Sequence, residues 1–194
     1  MKRFLSTLLI LFMSLGLAQA QHKPESALLI FNVGFTEASP EDSDNNLNGN
    51  TFSLNYEKSD WQGRLAGGVA IAYSTTSADS LNAAGQELQR LNSVSYEVVP
   101  ILLYGKVLFG SPKAKGYVGG GFGLQFSDIK YFTQNAQITD RESGFLVGGV
   151  AGLNVFLSEK ILLNGNYNLS YLGNSYYKDG LAHNFTIGLG FQFY

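Results

Sequence analysis

A chain of 194 residues with 23 glycines, 14 phenylalanines, 11 tyrosines and 14% charge is apolar and aromatic; ordinary soluble domains carry about 25% charge. Its 13 basic and 15 acidic residues form no basic stripe, so no nucleic-acid partner is expected. The absence of cysteine excludes both a disulfide framework and a cysteine-linked lipid anchor.

Lys2 and Arg3 precede an apolar run from Phe4 to Leu17, and Ala18-Gln19-Ala20 offers the small residues at which a signal peptidase cuts. Residues 1–20 read as a secretory signal, 21–26 as a short periplasmic lead and 27–194 as one domain. The apolar run falls short of the ~20 residues of a spanning helix, and no later segment reaches that length. Without Lys2 and Arg3, 11 basic residues face 15 acidic ones, a formal charge of −4.

From residue 27 on, period-two alternation predicts strands at roughly 27–37, 50–58, 62–74, 93–109, 116–128, 143–157, 161–172 and 183–194. In the second strand Phe52, Leu54 and Tyr56 oppose Ser53, Asn55 and Glu57; in the seventh Leu163, Tyr167, Leu169 and Tyr171 oppose Asn164, Asn166, Asn168 and Ser170. Pro100 cannot donate to a ladder, so a bulge is expected there, with the facing of 101–107 left open. The connections alternate long (38–49, 75–92, 129–142, 173–182) and short (59–60, 110–112, 158–160), and a helical turn is expected near Ala83 to Leu91.

Long connections at one end and tight turns at the other describe an up-and-down barrel in a membrane: all-β, antiparallel, eight-stranded and transmembrane. The soluble alternative, a barrel with its apolar face inward, would overfill the centre with aromatics, because eight strands enclose a space that side chains just fill. Small polar residues suit that space, with Glu57, Arg64, Glu97 and Lys106 expected as interior charges. Aromatics predict two girdles, with Phe35, Phe52, Tyr73, Tyr96, Phe126, Phe145, Tyr171 and Phe185 at one rim and Trp61, Phe109, Tyr117, Phe191 and Phe193 at the other.

The closing segment HNFTIGLGFQFY alternates Phe185, Ile187, Leu189, Phe191 and Phe193 with polar or empty positions, and it is as long as a tilted bilayer crossing. Thr186, Gly188, Phe191, Phe193 and Tyr194 resemble the C-terminal signal that outer-membrane barrels present to their insertion machinery. Over nearly all the mature chain, the sequence resembles the small outer-membrane barrel superfamily, or porin-family barrel domain, that includes OmpX and the transmembrane domain of OmpA. The resemblance implies a bacterial outer-membrane location, termini in the periplasm, four loops outside, and contact with outer-membrane lipid and lipopolysaccharide.

Chemistry is sparse. His22 and His183 have no second ligand at a useful spacing, so no metal, cofactor or catalytic site is expected. The glycine run GYVGGGFG, 116–123, lacks the Lys-Ser/Thr of a phosphate loop and reads as small interior side chains. Some barrels of the resembled class modify lipid A, and His183 with Ser170 or Ser175 and Asp179 could supply a nucleophile and base. The deacylase His-x-Ser is missing, since Asn184 and Phe185 follow His183. A monomer with a structural or surface-interaction role is expected, its contact surface the loops carrying Tyr131, Phe132, Tyr176 and Tyr177 and its partner an extracellular protein or surface; the alternatives are a deacylase-like enzyme or a narrow pore.

Overall fold

The computed structural model describes residues 26–40, 47–60, 64–79, 91–133, 137–173 and 177–193. They form β1 (Ala27–Pro40), β2 (Leu47–Ser59), β3 (Leu65–Asp79), β4 (Leu91–Gly110), β5 (Ala114–Thr133), β6 (Gln137–Phe156), β7 (Ile161–Gly173) and β8 (Tyr177–Phe193). Every strand pairs antiparallel with its sequence neighbours. β1 also pairs with β8, for example Ile30 with Gly190 and Gly34 with Thr186, so the sheet closes into a barrel. The signal segment, most of the lead, Trp61, Tyr176, Tyr194 and positions 83–90 of the expected helical turn lie outside the described residues.

Through most of the wall the alternation has a plain meaning. Phe31, Val33, Phe52, Leu54, Phe122 and Leu124 stand exposed on the outside, while Asn32, Thr51, Asn55, Asn164 and Thr186 are buried inside. An outer surface covered in large apolar side chains is tolerated only where the surroundings are hydrocarbon. Hydrocarbon in turn forbids an open sheet edge, and pairing β1 with β8 removes it.

Three strands run further than the sequence suggests: β5 reaches Thr133 against an expected 128, β6 begins at Gln137 against 143 and β8 at Tyr177 against 183. By contrast β4, at Leu91–Gly110, nearly matches the expected 93–109. β4, β5 and β6 have 20 residues each, about twice a tilted crossing of ~9–11 residues. The expected loop 129–142 is therefore mostly strand, with Tyr131 and Phe132 on β5, and Tyr177 begins β8. Only 134–136 and 174–176 separate strands there. The lipid alternation stops at the membrane surface, but backbone hydrogen bonding does not, so a polar sequence continues the ladder into water.

Pro100 makes no bulge. Its missing N–H faces β3, where the ladder skips Ala72 and Tyr73 and resumes in the same register, from Ile71 with Ile101 to Ser74 with Val98. Alternation therefore runs unbroken through 101–107. At the other end the turns are tight: Gly110 takes φ +114°, and Ser111 and Ala114 exchange backbone hydrogen bonds of 3.0 and 3.2 Å.

Inward and outward glycines differ in purpose. A Cβ on inward Gly123 would lie 1.8 Å from the Ile101 carbonyl oxygen, whereas on outward Gly149 its nearest neighbour would be 3.9 Å away. Gly123→Ala should cost about 1–3 kcal/mol or more, as overpacking does. Gly149→Ala should stay within about 0.5 kcal/mol of the parent. Urea titration of the refolded proteins, with the heat-dependent gel shift as the folded signal, checks both.

Candidate functional site

The lumen is built in layers, each set by the residues that alternation turns inward. Nearest the turns, Glu57 of β2 accepts hydrogen bonds at Oε1 from Lys106 Nζ at 2.5 Å and from the Tyr104 hydroxyl at 2.8 Å. The Lys106 ammonium also sits 4.0 Å from the Tyr117 ring centroid. Asn164 Nδ2 donates to Tyr117 Oη at 2.8 Å and to Asn154 Oδ1 at 2.7 Å. The charge pair thus lies inside a network reaching across β2, β4, β5, β6 and β7. Neither charge is left alone, the condition under which a buried pair is tolerable.

Above it lies a layer of small polar groups. Asn32 Nδ2 donates to Ser53 Oγ at 3.0 Å, Ser74 Oγ donates to Thr51 Oγ1 at 2.8 Å, and Thr36 Oγ1 donates to Asn184 Oδ1 at 2.5 Å.

The third layer is apolar. Ala38, Leu47, Tyr96, Val98, Ile129 and Leu146 pack together across the bore, with Leu172 and Ala182 completing a collar. Cavities in and below the collar amount to only about 40 and 80 Å³. Below the charge network, by contrast, the bore opens at the turn end into a cavity of about 850 Å³.

At the collar's height the outer face reverses as well. Glu97, Asp128 and Arg141 stand side by side on β4, β5 and β6. Glu97 is bonded to Lys130 Nζ, and Arg141 Nε approaches Asp128 Oδ1 at 3.4 Å. One pair of positions lower, Val99 and Phe126 face outward. Across the barrel, Phe35 pairs with Phe185, and two residues higher Glu37 pairs with His183.

The expected site residues therefore divide. Glu57 and Lys106 meet in the lumen. Glu97 does not join them, because at its height water surrounds the wall, so charge faces out while Tyr96 and Val98 face in. Arg64 is exposed at the mouth, immediately before the first residue of β3. Tyr96 and Tyr117 leave the expected girdles for the interior, being only 5% and 3% exposed, whereas Phe35, Phe145, Phe109 and Phe193 do face outward. Thr186 is buried facing the lumen, Gly188 lies against Asn32, and Phe191 and Phe193 are exposed outside. Phe132 is half-buried on β5. Tyr104 and Asn164 were missed as network members, although their inward parity was the available signal.

His183 faces outward, its Nδ1 2.8 Å from the Tyr167 hydroxyl. Ser170 lines the lumen on the opposite face of the wall, so these two cannot form a nucleophile and base. Ser175 lies outside the described residues.

An apolar exterior, a closed hydrogen-bonded wall and a side-chain-filled bore define the class of small transmembrane β-barrels. Within that class the chain belongs to the outer membrane protein beta-barrel domain family, whose model matches residues 5–193. The fold is similar to that of Neisserial surface protein A, at 12% identity and TM-score 0.60, covering 88% of this chain and all of the other. It is also similar to Ail, the attachment invasion locus protein of Yersinia pestis, at 16% identity and TM-score 0.54, covering 89% and 100%. The outer membrane protein OprG of Pseudomonas aeruginosa is similar at 15% identity and TM-score 0.55, covering 89% and 98%. At such identities the likeness is one of fold. No curated protein matches the chain.

Lys106→Met should destabilise the barrel by about 3–5 kcal/mol, because Glu57 is left charged and buried. Adding Glu57→Gln should recover most of that loss. Urea unfolding in lipid vesicles measures both, and equal losses in the single and double variants would contradict the pairing.

Proposed function

We propose that this outer-membrane barrel is a surface-interaction protein of the adhesion type, in which the filled barrel is the anchor and the raised part of β4, β5 and β6 is the contact surface. In this reading the turns and both termini face the periplasm, and the projecting hairpins meet the cell exterior. Lipopolysaccharide surrounds the wall, and a protein or surface outside the cell is the partner.

One observation carries the reading. β6 pairs with β7 only from Phe145 downward, opposite Gly173, so Gln137–Gly144 is bonded to β5 on one side and to no described strand on the other. Such an edge presents backbone donors and acceptors to which an extended segment of another protein can add, although the Arg141 N–H is already given to Asp140 Oδ1 at 2.8 Å. Its side chains run Gln-Ile-Thr-Asp-Arg-Glu-Ser-Gly, with Ile138 exposed among charges. Among the proteins of similar fold, one is an attachment invasion locus protein by name.

The alternatives fare less well. A lipid-modifying enzyme would have to use His183 without Ser170, which lies across the wall. A narrow pore would have to pass the apolar collar as well as the Glu57–Lys106 pair.

The cysteine-free chain allows a direct test of orientation. Thr139→Cys should react with a membrane-impermeant maleimide on intact cells, and Ser158→Cys only after permeabilisation; the reverse pattern would invert the proposed topology. Contact is tested by replacing 130–141 with Asn-Gly. Bacteria expressing the shortened protein should lose attachment to cultured epithelial cells while the protein keeps its heat-dependent gel shift. Undiminished attachment would rule out the raised sheet as the contact surface.

A further inference from the structure

The cavity of about 850 Å³ at the turn end has no part in surface contact, yet its lining is unlike the rest of the lumen. Elsewhere the inward side chains are closely packed: small polar groups, the network around Glu57 and Lys106, and apolar residues such as Ile30, Leu162 and the collar. Here Leu28, Leu108 and Phe156 line open space. Arg64 and Lys113 line the same cavity, both exposed, and neither forms an ion pair among the described residues. Glu57 at the ceiling is already neutralised by Lys106 at 2.5 Å. Among the described residues Glu159 is the only other carboxylate lining the cavity, and Lys115 lines it as well, so positive charge is in excess there. The ceiling is closed by the network of Glu57, Tyr104, Lys106 and Tyr117, which makes the cavity a blind pocket open at the turn end.

We propose that this mouth binds a single-chain amphiphile with an anionic head, the head held between Arg64 and Lys113 and the chain lying against Leu28, Leu108 and Phe156. The volume falls within the ~300–1,000 Å³ of small-molecule sites, and apolar walls with a few placed charges are their usual lining. A fatty-acid carboxylate and the phosphate of a lysophospholipid share this chemistry. The proposal does not depend on the adhesion reading or on which end of the barrel faces outward, because binding in micelles is indifferent to topology.

The full-length barrel, refolded in an uncharged polyoxyethylene detergent, is titrated with laurate, dodecyl phosphate, inorganic phosphate and dodecanol while backbone amide resonances are followed. Laurate and dodecyl phosphate should give saturable shifts centred on Leu28, Leu108 and Phe156, and the stronger of the two identifies the head group. Arg64→Gln with Lys113→Gln should raise the half-saturating concentration at least tenfold. Lys58→Gln with Lys160→Gln, which removes two charges from the same end but outside the cavity, should leave it unchanged. Equal weakening by both pairs of substitutions would mean rim electrostatics alone and overturn the site. Shifts of the same residues by inorganic phosphate alone, or by dodecanol as strongly as by laurate, would also overturn it. So would shifts spread over Phe122, Leu124 and other outward residues, the signature of micelle partitioning.

Discussion

Backbone hydrogen bonding in hydrocarbon is the constraint from which the rest of this structure follows. A peptide group without a partner costs several kcal/mol there, so eight strands can cross only as a closed cylinder, and β1 must find β8 across the full length of the chain. Closure at eight strands then fixes a bore that side chains fill. That space rejects the phenylalanines and admits asparagine, serine, threonine and glycine. The inward glycines belong to the same limit: beside Gly123 and Gly188 the neighbouring carbonyls leave no room for a Cβ. On the outer face, Gly67, Gly105, Gly120 and Gly149 stand in a row across four strands with more room around them.

The direction a side chain takes is set by what surrounds the wall at its height. Within the bilayer, apolar groups face out and polar groups in. Above it the rule inverts, because water replaces hydrocarbon on the outside, and the interior becomes the only place to bury Tyr96, Val98, Ile129 and Leu146. The two regimes meet within a pair of residues on each strand, as between Phe126 and Asp128 on β5 or Phe185 and His183 on β8. The collar is thus a small water-soluble core set on top of a membrane barrel, and it seals the bore independently of the ion pair below.

This layering separates the tasks of the two ends. Where the β5–β6 hairpin rises beyond β7, β6 is left with one bonded side over Gln137–Gly144 among the described residues, a geometry suited to another chain. Where the turns are tight, the interior stops short of filling and leaves leucine, phenylalanine and arginine around open space, a geometry suited to a small molecule. The charged network of Glu57, Lys106, Tyr104 and Tyr117 lies between them and connects neither to the other.

The sequence by itself determined the strand count, the antiparallel order and the outward face of most strands, because lipid imposes a strict period of two and every departure from it costs transfer free energy. It also placed Glu57 and Lys106 inside, since a charge on the lipid face would be intolerable. It could not tell where the membrane ended. Val94, Tyr96 and Val98 alternate with Ser95 and Glu97 in the same way as a lipid-facing strand does, and only the position of β4 beside the charged row on β5 and β6 shows that this stretch is read the other way round. The extent of β5 and β6, the unbroken register at Pro100 and the open mouth at the turns were likewise decided by pairing between distant segments. No local pattern encodes such pairing, because hydrogen bonds between strands are made by backbone atoms that every residue except proline supplies alike.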